Sequence, residues 1–124
     1  MSKYFCTFKN DGNDQFLFNM DDVKFMLCLD TGSSFRMKDG TNITTNLSYD
    51  DIYFRWKFAI SGFFNVNIST RYGDKLYENV PAFINKDYVL GIVPEDDGSK
   101  ILLLNNDHFH TKLAPFEVIT LMGC

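Results

Sequence analysis

Hydrophobic positions fall in short runs separated by clusters of Asp, Asn, Gly and Ser. Residues 4–9 form an aromatic, β-prone run, and Asn10-Asp11-Gly12-Asn13-Asp14 marks a turn after it. Residues 15–19 make a second short strand, Met20-Asp21-Asp22 breaks it, and residues 23–30 make a third. Strand, turn and strand in that order predict a β-hairpin. Residues 34–51 are polar and turn-rich. Residues 52–60 then alternate: Ile52, Phe54, Trp56, Phe58 and Ile60 share one face, while Tyr53, Arg55, Lys57 and Ala59 share the other. Ser61-Gly62 ends that run, residues 63–70 form another strand, and Tyr72-Gly73-Asp74 turns the chain again. Residues 76–84 read as a strand interrupted by Pro81, which favours an edge or a bulge. Further β-prone runs lie at 88–92 and 101–104, and a terminal strand at 117–122. No stretch carries a three-turn helical stripe. Many short strands between regular turn signals predict one all-β domain over residues 1–124, a sandwich or a barrel.

Composition sharpens this picture. The chain has 124 residues, enough for one modest core, and 45% of them are hydrophobic, which is globular rather than disordered. Net charge is −4 with both signs interspersed. No run of Lys and Arg marks a nucleic-acid footprint, so no nucleic-acid partner is expected. The apolar runs are too short to span a bilayer, so no membrane partner is expected either. The first residues lack a signal-peptide layout, and Cys6, Cys28 and Cys124 are an odd count without metal-ligand spacing. Both features point to reduced thiols and an intracellular, cytoplasmic location. The sequons at Asn42, Asn46 and Asn67 would matter only in a secreted protein. His108 and His110 stand two apart beside Asp107, but no third ligand at diagnostic spacing accompanies them, so no metal or other cofactor is expected.

The densest chemistry lies in Phe25-Met26-Leu27-Cys28-Leu29-Asp30-Thr31-Gly32-Ser33-Ser34. An apolar run ends abruptly in a carboxylate, a glycine and three hydroxyls. A carboxylate at the end of a buried strand is costly unless it is hydrogen-bonded or shares a proton. The bland reading is a strand followed by a polar turn, since these residue types are all common in turns.

This segment resembles the active-site signature of aspartic proteases, and one copy in a short chain resembles the retropepsins of retroviruses and retrotransposons. The order of elements over residues 15–92 is similar: a lead-in hairpin, the Asp-Thr-Gly loop, further strands, and Val89-Leu90-Gly91 as an apolar-apolar-Gly element. The resemblance implies a small closed barrel-like domain with a flap hairpin, active as a C2 homodimer. Asp30 would be the catalytic carboxylate. Thr31 would hold the two loops together across the dimer, Gly32 would offer backbone groups to substrate, and Ser33 would hydrogen-bond Asp30. Ser34 would support the loop, Gly91 would be the packing glycine behind it, and Trp56 and Val89 would touch substrate. The flap region 46–56 departs from the family in having no glycine, and Ser34 stands where many retroviral enzymes have an acid.

Two carboxylates sharing one proton can activate water and protonate a carbonyl, and one chain supplies only Asp30. The implied function is therefore a homodimeric aspartic endopeptidase acting on an extended peptide or polyprotein, of viral or mobile-element type, cytoplasmic or virion-associated. The alternative is a non-enzymatic β-domain that binds a protein partner, or the same fold without activity.

Overall fold

Period-two burial organises the chain, which this computed structural model describes over residues 4–8, 15–30, 32–45, 48, 50–51, 62–72 and 74–123. Strands β1 (Tyr4–Phe8) and β2 (Gln15–Asn19) pair antiparallel as a two-stranded sheet, with Phe5 opposite Phe18. A single 3-10 turn, Met20–Asp22, follows; Asp21 N donates to Asn19 Oδ1 at 2.9 Å. It delivers the chain into β3 (Val23–Leu29), which is buried from Val23 to Leu27. Burial of successive side chains covers both faces of this strand, which is why its sequence is a continuous apolar run rather than an alternation.

The remaining strands are β4 (Gly32–Met37), β5 (Asn42–Thr45), β6 (Phe63–Tyr72), β7 (Lys75–Asn85), β8 (Val89–Glu95), β9 (Gly98–Leu103) and β10 (His108–Thr111). They join β3 in an eight-stranded antiparallel sheet of order β5-β4-β3-β7-β6-β10-β9-β8. In β6 the alternation is plain: Phe64, Val66 and Ile68 are buried, while Asn65 and Asn67 are exposed. These three pack with Phe25, Leu27, Ala82, Ile84, Ile101, Leu103, Phe109 and Val118 in one core. The rings of Phe25 and Phe109 meet edge-on, with centroids 4.7 Å apart. Their strands are separated in the sheet by β7 and β6. The sheet must therefore bend over its own inner face.

Three expectations are corrected. The predicted closed barrel is an open sheet, with β5 and β8 at its edges among the described strands. The polar stretch 34–51 contains strand as well as turn: Ser33 pairs with Thr45 and Phe35 with Ile43 across the turn at Gly40, whose φ is +94°. Ser33, Ser34 and Thr45 are buried there, so short hydroxyl residues occupy positions where a hydrophobicity pattern expects carbon. The segment 117–122 is not a strand but part of helix α1 (Pro115–Leu121). Pro115 stands in its first turn, where its missing N–H is no loss, and Glu117 Oε1 accepts from Ala114 N at 3.0 Å. The expected flap strand, residues 52–60, lies outside the described residues.

Two local features shape the sheet. Pro81 sits in β7 just beyond Ala82, where the pairing with β3 has ended. Next to it, register shifts between Ile68 and Thr70, Asn79 takes φ 53°, and Asn79 N donates to Ser69 Oγ at 3.1 Å. Such a bulge increases local twist and re-aims the residues that follow. At the β8–β9 hairpin Gly98 has φ +149°, and a Cβ there would fall 2.0 Å from Thr111 O. Only glycine allows β9 to approach β10 so closely.

Candidate functional site

Lys24, the second residue of β3, is the largest fully buried side chain among the described residues, 1% exposed. A buried ammonium needs a counter-charge and acceptors. It finds them in the connection between β9 and β10, where Nζ donates to Leu104 O at 2.7 Å and to the Asp107 carboxylate. Asn105 and Asn106 make that connection tight by adopting φ 65° and 68°, a region asparagine tolerates better than most residues. Asn105 Nδ2 donates to Lys38 O at 3.1 Å, which ties the connection to the β4–β5 turn. On the other side of Asp107, Arg36 of β4 approaches with Nη1 3.3 Å from Oδ1. The Arg36 guanidinium also bonds Asn42 through Nε and lies over the Phe25 ring, 5.5 Å from its centroid. Asp107 is thus held between two cations, one on each oxygen.

Above this network opens a pocket of about 210 Å³. Its walls are Phe25 and Arg36 from β3 and β4, Thr70 and Arg71 from β6, and residues 106–109 leading into β10. Thr70 and Arg71 come immediately after the β6 bulge. Arg71 is exposed and forms no ion pair among the described residues. His108 is exposed as well, with Nδ1 3.4 Å from Asn106 O. Lys24 and Arg36 flank the Asp107 carboxylate, and Arg71 lines the same pocket, in a chain whose overall charge is −4.

The residues singled out for catalysis do not form such a site. Asp30 stands in the turn between β3 and β4, its side chain 65% exposed, and its carboxylate pairs with Lys75. Within the chain it is therefore an exposed carboxylate matched by a lysine. Gly32 opens β4, and Ser33 and Ser34 are buried within that strand. Gly91 lies in β8, and a Cβ added to it would meet nothing within 4 Å, so no close packing requires a glycine there. Val89 begins β8, packs against the core and belongs to the edge strand opposite β5 in the sheet order. Thr31 and Trp56 lie outside the described residues. Burial, and to a lesser extent Asp50, pushes the Cys28 thiol above its ordinary value.

The two histidines part company. His110 Nδ1 lies 2.8 Å from Glu95 Oε1 and Nε2 lies 3.5 Å from Asp97 Oδ1, at the β8–β9 hairpin, whereas His108 lines the pocket. Among the described residues no three His, Cys, Asp or Glu side chains converge as a metal site. No described helix is long and apolar enough to cross a membrane.

No protein-family model matches the chain, and no curated protein matches it. A solved structure does: a LytTr DNA-binding domain from Bacillus cereus superposes with a TM-score of 0.59 at 12% sequence identity, over 98% of this chain and 97% of that one. The chain is similar in fold to a LytTr domain. This likeness overturns the retropepsin resemblance, and with it the aspartic endopeptidase, its peptide or polyprotein substrate and the Asp30 dyad for which a homodimer was required. The expectation of no nucleic-acid partner is corrected too, because the matching domain is a DNA-binding one. That expectation rested on the lack of a Lys/Arg run. Lys24 and Asp107, 83 positions apart, instead meet in space and bring Arg36 and Arg71 with them. One signal was available in the sequence: a lysine between Val23 and Phe25 in an apolar strand announces a buried cation.

Proposed function

We propose that this chain is a non-enzymatic domain that binds nucleic acid, with duplex DNA as its ligand. The observation that carries the reading is the end-to-end likeness in fold to a LytTr DNA-binding domain. The cationic pocket between β4, β6 and β10 supports it. Affinity for DNA comes from local neutralisation of phosphates rather than from a protein's overall charge. An acidic chain can serve if its cations gather on one face while its acids, such as Glu95, Asp96 and Asp97, stand on a separate hairpin.

Fluorescence anisotropy with labelled duplex DNA tests this. Binding should appear at 50 mM salt and weaken steeply by 200 mM, with log K falling linearly against log salt at about −0.9 per phosphate contacted. No binding at 50 mM salt with protein at hundreds of micromolar would sink the reading.

A second reading, a domain that binds a protein partner, is favoured by one observation. Phe116 and Leu121 of α1 are exposed beside Leu113, an apolar patch on an acidic chain. Absence of DNA binding at low salt would leave this reading in place.

A further inference from the structure

We infer that Arg36, Arg71 and His108 form a subsite that accepts one phosphate group, and that its ligand is a backbone phosphodiester of nucleic acid. The choice of ligand rests on the proposed DNA-binding function; the anion chemistry rests on the pocket alone. Both oxygens of Asp107, the acid in the pocket wall, already accept from Lys24 and Arg36. It therefore repels an anion less than a free carboxylate would, and two cations outweigh it. A guanidinium carries five N–H donors in a planar fork. Arg36 directs Nε to Asn42 and Nη1 to Asp107, which leaves donors for a ligand. Arg71, exposed and free of ion pairs among the described residues, has its whole fork available. Forked donors of this kind match phosphate oxygens two at a time. His108 and Thr70 also line the pocket, and their side chains carry an imidazole N–H and a hydroxyl that can donate. At about 210 Å³ the pocket holds far more than one water, whose share of liquid volume is about 30 Å³.

The geometry is pre-set. Arg36 is braced by Asp107, Asn42 and the Phe25 ring, so ordering it costs little on binding. Arg71 is held in β6 just past the bulge, paired with Leu76 of β7.

The test uses Arg71→Gln, with Lys86→Gln as a control on an exposed lysine away from the pocket. Arg71→Gln should weaken binding to two unrelated duplexes by a similar factor, about tenfold at 100 mM salt. It should also reduce the slope of log K against log salt by about one, because a phosphate contact carries no sequence information. Lys86→Gln should bind as wild type. Separately, titration with inorganic phosphate followed by amide NMR should move residues 70–71 and 106–109 in the wild type and not in Arg71→Gln. Three outcomes are distinct. If wild type binds DNA and Arg71→Gln binds equally well, the subsite is wrong and the DNA reading survives. If wild type does not bind DNA but phosphate moves those amides, the subsite stands and the DNA reading falls. If neither DNA nor phosphate moves them, the inference is overturned.

Discussion

Asp107 shows how much one side chain can hold. It neutralises Lys24, which is almost wholly out of water, and it orients Arg36 at the rim of the pocket. The two ends of the Lys24–Asp107 pair are not equivalent, since Asp107 keeps partial access to solvent and a second cation. Removing the acid strands a buried ammonium with only the Leu104 carbonyl. Removing the lysine leaves a carboxylate that still has Arg36. Asp107→Ala should therefore lose about 3 kcal/mol of stability, while Lys24→Met, which fills the same space with apolar atoms, should lose well under half of that. Urea unfolding of both variants measures the difference. Equal losses would mean that desolvation of Lys24 is not the dominant cost. Asp30 is the instructive contrast: an exposed pair with Lys75, of the kind that contributes little.

Elements in this chain are defined as much by their ends as by their middles. Val118, Ile119 and Thr120 are β-branched and favour a strand, yet the segment is helical because Pro115 and Glu117 begin a helix and Val118 is its buried anchor. The β4–β5 turn is set by Asp39, whose Oδ1 accepts the Thr41 N–H at 2.9 Å. Hydrogen bonds from the Thr41 backbone and then its hydroxyl hold the Asp39 carboxyl below its ordinary value. A group depressed in this way adds stability above its unfolded pKa and loses it as pH falls through the lower folded value. The turn should thus weaken on acidification from about pH 4 downward, near the ordinary aspartate value of about 3.9. Asp39→Asn keeps an acceptor but does not titrate, so its unfolding midpoint should fall less steeply with acid than that of wild type. Identical acid profiles for the two proteins would show that Asp39 does not contribute through its charge.

Across the whole molecule, stability should follow position in the sheet. Strands β3, β7 and β6 are central and carry much of the shared core, while β5 and β8 are edges. Core strands open only with global unfolding, whereas edges open locally at lower free energy. Hydrogen exchange should find the slowest amides at 25–27, 64–68 and 82–84, with those of β5 and the end of β8 exchanging much sooner. Uniform protection across all eight strands would show that the bent sheet opens only as a unit. The same bend makes the pocket, because it brings β4 and β6 around the start of β10.

What the sequence alone determined was local. The strand at 63–70, the apolar run at 23–29 and the break at Asp21 and Asp22 were legible because side-chain period and turn chemistry are properties of neighbouring residues. The all-β class followed from them. Partnership was not legible. The letters Asp-Thr-Gly-Ser carry protease chemistry only where a second carboxylate faces the first, and here tertiary structure sets Lys75 against Asp30. Buried Ser33 and Ser34 looked like turn residues because hydropathy does not record the interactions that a neighbouring strand supplies. Arg36, Arg71, Asp107 and His108 form no run and no spacing. They become one site only because an open sheet bends until β4, β6 and β10 meet, and charge acts through space rather than along the chain.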